Sequence, residues 1–428
     1  MAQLAPMPAI GTWDDPARMI GVDDARDRVL AAFTPLPAIQ TPLVDALGLV
    51  LAEVVEAGSD LPPFANSAMD GFAVRAADTL AARHDARVRL RVLGQAAAGY
   101  VTDVIVMPGS AVRIMTGAPI PRGADAVVRF EETDELDGLA TVGGTIGIRR
   151  AVESGANIRL AGEDVRAGEI VLTAGTRLRS AHVGLLAALG RTTATVHRRP
   201  RVAILATGDE IVEPGERMCS GQIRNSNSAT VAALVYRYGG EPIALGIARD
   251  TTDELRARLG AATTADLLIT TGGVSTGDYD LVKDVLRAEG RIDLWQVRLK
   301  PGKPLAFGWI GATPLLGLPG NPVAAAVAFE QFARPAILKM LGRTDLTIPT
   351  VQARLADRIE NRGGRRHFAR VRVDATADGF VAHLSGLQGA GMLAGLAAAD
   401  GLAVVPDDVP VAEVGAMLPV QMLNWDLG

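Results

Sequence analysis

From Pro200 onward the sequence alternates short apolar runs with amphipathic ones, and few architectures accept that alternation. Residues 201–206, 242–247 and 265–270 read as strands, while 228–238, 252–259 and 278–288 read as helices. Strands that are apolar at nearly every position must be covered on both faces, so this stretch is predicted to be a doubly wound, mostly parallel sheet. A last helix is expected from about Asn321–Pro322 toward Leu341, kinked at Pro335, whose ring and missing N–H disturb the turn before it. In open sheets of this type ligands bind beyond the carboxyl ends of the strands. Here each such end carries glycine or polar punctuation: Thr207–Gly208–Asp209–Glu210, Arg249–Asp250, and Thr271–Gly272–Gly273–Val274–Ser275 running on to Asp278 and Asp280.

The rest of the chain has a different texture. A helix is expected over 22–33, with Asp23 and Asp24 in its first turn complementing the helix dipole. Between about residues 57 and 168, short β-prone runs (87–93, 110–116, 126–130) are separated by Gly, Pro and Asp, with an Asp137–Gly138 turn, which predicts a mostly antiparallel β module. A helix over 180–189, closed by Gly190, then returns toward the first one. After Gly342 the texture is β again (350–355, 367–373, an Asp378–Gly379 turn, 401–405) and predicts a C-terminal barrel or sandwich. The expected fold is therefore α/β and multidomain. A discontinuous helical N-terminal domain (20–57 and 169–197) carries an inserted β-rich domain (58–168). The α/β domain (198–342) and a C-terminal β domain (343–428) follow.

Composition narrows the function classes. With 48 acidic against 43 basic residues the net charge is −5, which argues against a nucleic-acid coat. No apolar run reaches the roughly 18 residues of a membrane span, and the first residues lack a basic-then-apolar leader, so a cytoplasmic protein is expected. A single cysteine, Cys219, excludes an intramolecular disulfide and a cysteine-based zinc cluster. The five histidines (His84, His182, His197, His367, His383) have no ligand spacing and read as ordinary surface or core residues. Neither a nucleophilic triad nor a P-loop is present.

Three features carry chemistry. Glu210, Asp250 and Asp280 lie at neighbouring strand exits, where converging carboxylates repel unless a cation such as Mg²⁺ joins them. Lys300–Pro301–Gly302–Lys303–Pro304 places two lysines in a loop stiffened by proline, a cation clamp for phosphate or another oxyanion. Gly317–Leu318–Pro319–Gly320–Asn321–Pro322 is a tight turn into a helix, expected to point backbone N–H groups outward. Each also has an ordinary reading: Gly and Asp punctuate turns, acids sit in first turns, and Lys and Pro are common at the surface.

The segments Asn66–Ser67–Ala68–Met69–Asp70–Gly71, Met115–Thr116–Gly117–Ala118–Pro119, Thr207–Gly208–Asp209–Glu210, Gly272–Gly273–Val274–Ser275, Lys300–Pro301–Gly302–Lys303–Pro304 and Leu318–Pro319–Gly320–Asn321–Pro322–Val323 together resemble the molybdopterin molybdenumtransferase family, to which the E domain of gephyrin also belongs. The resemblance runs in family order from about residue 20 to the C-terminus. It implies an elongated four-domain subunit, a homodimer with a cleft shared between subunits, and transient contact with other proteins of molybdenum cofactor biosynthesis. It also implies the reaction, in which adenylylated molybdopterin and molybdate give molybdenum cofactor and AMP with Mg²⁺ required. By the same likeness Asp70, Thr116, Asp164, Glu210, Asp250 and Asp280 are the catalytic positions, with Asp250 and Asp280 on magnesium. Gly272, Gly273, Ser275, Lys300, Pro301, Lys303, Asn321, Pro322 and Arg370 are the substrate-binding ones. Asp70 and Thr116 are expected to reach the cleft from the β module of the partner subunit.

Four positions depart from the family pattern: Ala65 where Asp is usual, Asn225 where Asp is frequent, and Ala324 and Ala390 where relatives offer serine hydroxyls. A lost hydroxyl–anion hydrogen bond costs about 1.5–3 kcal/mol. The alternatives are a non-catalytic protein that binds, delivers or scaffolds molybdopterin, and a hydrolase of nucleotide-like compounds, since the α/β module also resembles domains of competence-damage proteins.

Overall fold

The computed structural model describes residues 19–134, 141–249, 251–273 and 290–424. The expected turn at Asp137–Gly138, the helix over 278–288, and Asp250, Ser275 and Asp280 lie outside the described residues. The chain forms two compact units. One holds the chain up to Ala52, Gly175–Ser180 and everything from Thr193 onward, and the other holds Glu53–Ala174 and Ala181–Thr192.

The core of the larger unit is a six-stranded sheet of β1 (Arg201–Thr207), β2 (Glu241–Ala248), β3 (Leu267–Thr271), β4 (Gly290–Gln296), β5 (Pro304–Ile310) and β6 (Thr313–Leu318), in the spatial order β2-β1-β3-β6-β5-β4. β2, β1, β3 and β6 are parallel, whereas β5 runs antiparallel to both β6 and β4. In β1 every residue after Arg201 is buried, and β3 is buried throughout, as two-sided coverage requires. Helix Ser226–Arg237 begins two residues before the expected start because the Asn225 side chain accepts from the Ser228 N–H at 3.1 Å and caps it.

The last helical stretch also departs from expectation. Pro322–Ala328 is α-helical, Phe329–Ala333 is a π-turn, and Arg334–Met340 resumes the α-helix. The distortion lies upstream of Pro335, where the wider turn makes room for its ring. At the N-terminus the helix spans Val22–Leu30 and then tightens, with Phe33 N–H bonded to Leu30 O at 3.2 Å, ahead of Pro35.

The C-terminal strands Thr350–Leu355, Arg366–Thr376, Gly379–Leu384, Gly401–Val405 and Met417–Met422 close into a five-stranded ring. The short strand Leu299–Lys300 adds to its Arg366–Thr376 edge, pairing Lys300 with His367. The smaller unit is built on a five-stranded sheet containing Gly71–Val74, Val88–Ala96, Ser110–Ile114, Ala126–Arg129 and Thr145–Ile148, antiparallel except for one pair. Among the described residues no helix is long and apolar enough to cross a membrane.

Candidate functional site

β1 connects to β2 on one side and the chain then places β3 on the other, so the order reverses between β1 and β3. That reversal is where open α/β sheets form a ligand crevice. Its walls are three strand exits in mutual contact. Gly272, at φ +90°, lies so close to β1 that a Cβ there would come within 2.8 Å of the Thr207 carbonyl oxygen, so only glycine lets the two exits meet. A Cβ at Gly320, after β6, would sit 3.6 Å from the Gly272 Cα. Asn227 ties the third wall down by donating from Nδ2 to the Gly320 carbonyl at 2.7 Å.

The polar atoms around this crevice are buried without partners. Among the described residues Thr207 Oγ1, Thr270 Oγ1, Thr271 Oγ1, Asn227 Oδ1 and Ser228 Oγ find no hydrogen-bond partner. A buried polar group left unsatisfied costs about 1–3 kcal/mol, so several gathered at one crevice mark a place completed by a guest. Glu210 turns its carboxylate back over Gly208, where an added Cβ would collide with it. Among the described residues no group of three or more His, Cys, Asp or Glu side chains could hold a metal ion. The magnesium positions Asp250 and Asp280, with Ser275, lie outside the described residues, which leaves Glu210 as the one expected crevice carboxylate in view.

The lysine loop adjoins this crevice through the last helix. A Cβ at Gly302 would lie 3.3 Å from the Ala324 carbonyl oxygen and 3.5 Å from the Ala324 Cβ. The loop is closed by the Val297 N–H donating to the Lys303 carbonyl at 2.8 Å, with Pro301 buried inside it. Lys300 Nζ donates to the Glu360 carbonyl at 3.1 Å. Burial, and then the neighbouring Arg365, push its ammonium below the usual lysine range.

Arg370 is fully buried. Its Nη2 donates to the carbonyls of Leu387 at 2.6 Å and Gly389 at 3.3 Å, while Nε and Nη1 have no partner. Burial lowers its pKa as well. His367, expected to be ordinary, is 3% exposed, and its Nδ1 is also unpartnered. Burial first, then the charges of Lys300, Arg370 and Arg365, push its imidazole down to about 3, so it is neutral beside three cations. The cluster suits an anion: guanidinium and ammonium donors are present, half-buried at Lys300 and fully buried at Arg370.

The turn into the helix differs from expectation in one respect. Its first free amide is not aimed outward, because the Val323 N–H donates to the Ala390 carbonyl at 3.0 Å. Asn321 sits at the N-cap without a side-chain bond and Pro322 occupies the first turn. Ala324, one of the departures, thus lies beside the lysine loop, and Ala390, another, is bonded through its carbonyl to Val323, the residue before Ala324. Asn225 is explained differently: it is 4% exposed and serves as a helix cap, a role Asn fills as well as Asp.

In the smaller unit the first two motifs are joined directly. The Ser67 N–H donates to Ala118 O at 3.0 Å, and the Gly117 N–H to Ser67 O at 2.8 Å. This places Asp70 Oδ1 against the Thr116 N–H at 2.7 Å and the Thr116 hydroxyl at 2.8 Å. Those two bonds, backbone first, hold the exposed Asp70 carboxyl below its ordinary range. Asp164 is exposed on a separate loop, its N–H donating to Leu61 O at 3.0 Å. Ala65 is half-buried next to the first motif, its carbonyl accepting from the Ile120 N–H at 3.1 Å. Reading the sequence alone did not assign Thr207, Thr271, Asn227, Ser228, Arg365 or His367 a role. Their signal was position: hydroxyls and amides at strand exits, and basic residues just ahead of Arg370.

Family models match almost the whole chain. Residues 20–190 match the MoeA N-terminal region (domains I and II), 203–339 a probable molybdopterin binding domain, and 352–423 the MoeA C-terminal region (domain IV). Molybdopterin molybdenumtransferase 2 of Mycobacterium tuberculosis is 40% identical over 397 residues, covering 91% of this chain and 95% of that protein. Molybdopterin molybdenumtransferase of Staphylococcus aureus is 33% identical over 392 residues, covering 90% and 91%. The crystal structure of a molybdopterin biosynthesis MoeA protein from Pyrococcus horikosii superposes with a TM-score of 0.80 at 31% identity, covering 94% of this chain and 99% of that one. On these matches, and on a doubly wound sheet, a C-terminal barrel and six motifs in family order, the chain belongs to the molybdopterin molybdenumtransferase family of enzymes.

Proposed function

We propose that this enzyme inserts molybdenum from molybdate into adenylylated molybdopterin, releasing AMP and giving molybdenum cofactor. The observation that carries this reading is the close approach of Gly272 to Thr207, of Gly320 to Gly272 and of Gly302 to Ala324, with the start of the last helix joining Gly320 to Ala324 along the chain. It links a crevice of unpartnered buried oxygens to a cation cluster of half-buried Lys300 and Lys303 with buried Arg370. A nucleotide-bearing pterin supplies hydroxyls, amides and phosphate for the first, and a doubly charged tetrahedral oxyanion suits the second.

In this reading Lys300, Lys303 and Arg370 bind and orient the oxyanion, and buried surroundings strengthen their grip by lowering the local dielectric. Thr207, Thr271, Asn227 and Ser228 fix the nucleotide end beside Gly272 and Gly273. Neutral His367 offers no charge to the anion and keeps its proton demand low near pH 7. Magnesium typically keeps several waters and takes one or two carboxylates plus substrate phosphate, and Asp250 and Asp280 would supply those carboxylates. Bound there it would neutralise phosphate charge. Asp70, held ionised by Thr116, and Asp164 complete the set from the β-rich domain, in a homodimer of four-domain cytoplasmic subunits. The enzyme would hand its product to other proteins of the same pathway.

The test is to incubate purified protein with adenylylated molybdopterin, molybdate and Mg²⁺ and to measure AMP. Release of AMP that is lost in Asp280→Ala supports the reading, and no AMP from an intact dimer overturns it. One observation favours a second reading, a protein that holds molybdopterin without turnover: one absent hydroxyl, at Ala324, falls beside the lysine loop, and the other, at Ala390, is on a residue bonded to the adjoining Val323. Tight pterin binding without AMP, with turnover appearing in the Ala324→Ser/Ala390→Ser double variant, would select it.

A further inference from the structure

The same sheet has a second polar hollow, at its other end. A cavity of about 650 Å³ is bordered by the Gly239–Gly240–Glu241–Pro242 turn that leads into β2, and by Arg177, Arg199, Arg237 and Arg343. Arg201 and Glu241 open β1 and β2 in register, so this is the amino end of the strands. Seven residues of β1 at about 3.3 Å each put it roughly 20 Å from the strand exits of the crevice.

We propose that this cavity is a separate binding site for a diphosphate-bearing anion. Four guanidinium side chains border it against one carboxylate, Glu241. Arg199 spends its Nη1 on the Gly239 carbonyl at 3.2 Å, and Arg237 lies 5.8 Å from the Tyr238 ring centroid. Among the described residues neither they nor Arg343 form an ion pair with an acid within 4.0 Å. Arg177, Arg199 and Arg343 are half-buried, where like charges are poorly screened. Burial, then the charges of Arg177 and Arg334, push Arg343 below the ordinary arginine range, with Asp345 opposing.

Cations held together in this way oppose folding unless an anion joins them, and planar guanidinium groups match phosphate oxygens two at a time. The volume fits a small metabolite, and the number of guanidiniums favours two linked phosphates over one. Tyr236, 77% exposed, also borders the cavity and gives a nucleobase a face to stack on. The source of the diphosphate is therefore either inorganic pyrophosphate or a nucleoside diphosphate.

The experiment is calorimetric titration of the full-length protein with pyrophosphate, orthophosphate and ADP, in parallel on wild type, Arg343→Gln, Arg237→Gln, Tyr236→Ala and Lys300→Ala. Pyrophosphate should bind at least about tenfold more tightly than orthophosphate, a difference of roughly 1.4 kcal/mol. Arg343→Gln and Arg237→Gln should each weaken it about tenfold, and Lys300→Ala should leave it unchanged. Without ligand, Arg343→Gln should melt no lower than wild type, because it relieves repulsion; Arg237 is exposed, so its variant reads the site even if the other does not fold. ADP binding more tightly than pyrophosphate, with the advantage lost in Tyr236→Ala, assigns the nucleotide, and equal affinities assign the diphosphate alone. No pyrophosphate binding, or binding that Lys300→Ala abolishes while both arginine variants keep it, overturns the proposal.

Discussion

Two groups of buried polar atoms in the larger unit are handled in opposite ways. In the helix that carries the π-turn, Glu330 is 4% exposed, and both its oxygens lie 2.9 Å from the Tyr238 hydroxyl. Arg334 stands 3.8 Å away, its Nη1 and Nη2 donating to Leu346 and Thr347 carbonyls. Burial raises the Glu330 pKa, and Tyr238 and Arg334 resist that rise. At the sheet's carboxyl end, by contrast, Thr207, Thr271, Asn227 and Ser228 keep buried oxygens with no partner. A cluster mostly satisfied within the chain, with Arg334 Nε alone lacking a hydrogen bond, holds helix and loop together; a cluster left open raises the energy of the empty protein and lowers that of the occupied one.

That contrast yields opposite expectations for substitutions. The largest effect belongs to the open side: Lys300→Ala should lower AMP release about 100-fold, roughly 2.7 kcal/mol of transition-state stabilisation, with melting nearly unchanged. Equal losses of stability and activity would erase the distinction. Next is acidification. The native imidazole of His367 sits at about 3 against roughly 6.5 unfolded, so the unfolded chain binds the extra proton between those values. Its contribution is therefore complete above about pH 6.5 and falls as pH drops toward 3. Going from pH 7 to 5 should cost about 2 kcal/mol, a slope that His367→Gln removes from denaturant titrations.

On the paired side, Tyr238→Phe leaves Glu330 without its nearest donor and should cost about 1–3 kcal/mol in stability while AMP release stays at the wild-type rate. The smallest effect is at the cap. Asn225→Ala should cost about 1 kcal/mol, and Asn225→Asp should cost nearly nothing, because either side chain can accept from the Ser228 N–H.

Much of the α/β sheet was legible because its central strands are buried on both faces. Val202 to Ala206 read as one apolar run, and Gly272 announced a backbone that must pass close to its neighbour. The β5–β6 hairpin was not read, since Pro304, Pro314 and the Gly311–Ala312 turn break up the apolar runs and proline is unexpected in interior strands. Pro335 signalled a distortion but not its location, which depends on how the preceding turn widens. At the candidate site the lysine loop was visible as local sequence. The burial of Arg370 and the neutrality of His367 were not, because both arise from segments distant in sequence: Leu387 and Gly389 against Arg370, and Lys300 paired with His367 across 67 residues. Hydroxyls such as Thr207 and Thr271 are ordinary strand residues until packing removes every partner.

The central claim is that those unpartnered oxygens are ligand contacts. It is tested most directly by the affinity of adenylylated molybdopterin, read from pterin fluorescence, for wild type and Thr271→Val. The variant keeps its shape and removes an unsatisfied group, so it should melt at or above the wild-type temperature. Binding should weaken by about tenfold, near 1.4 kcal/mol. Equal affinity in a folded Thr271→Val protein would contradict it.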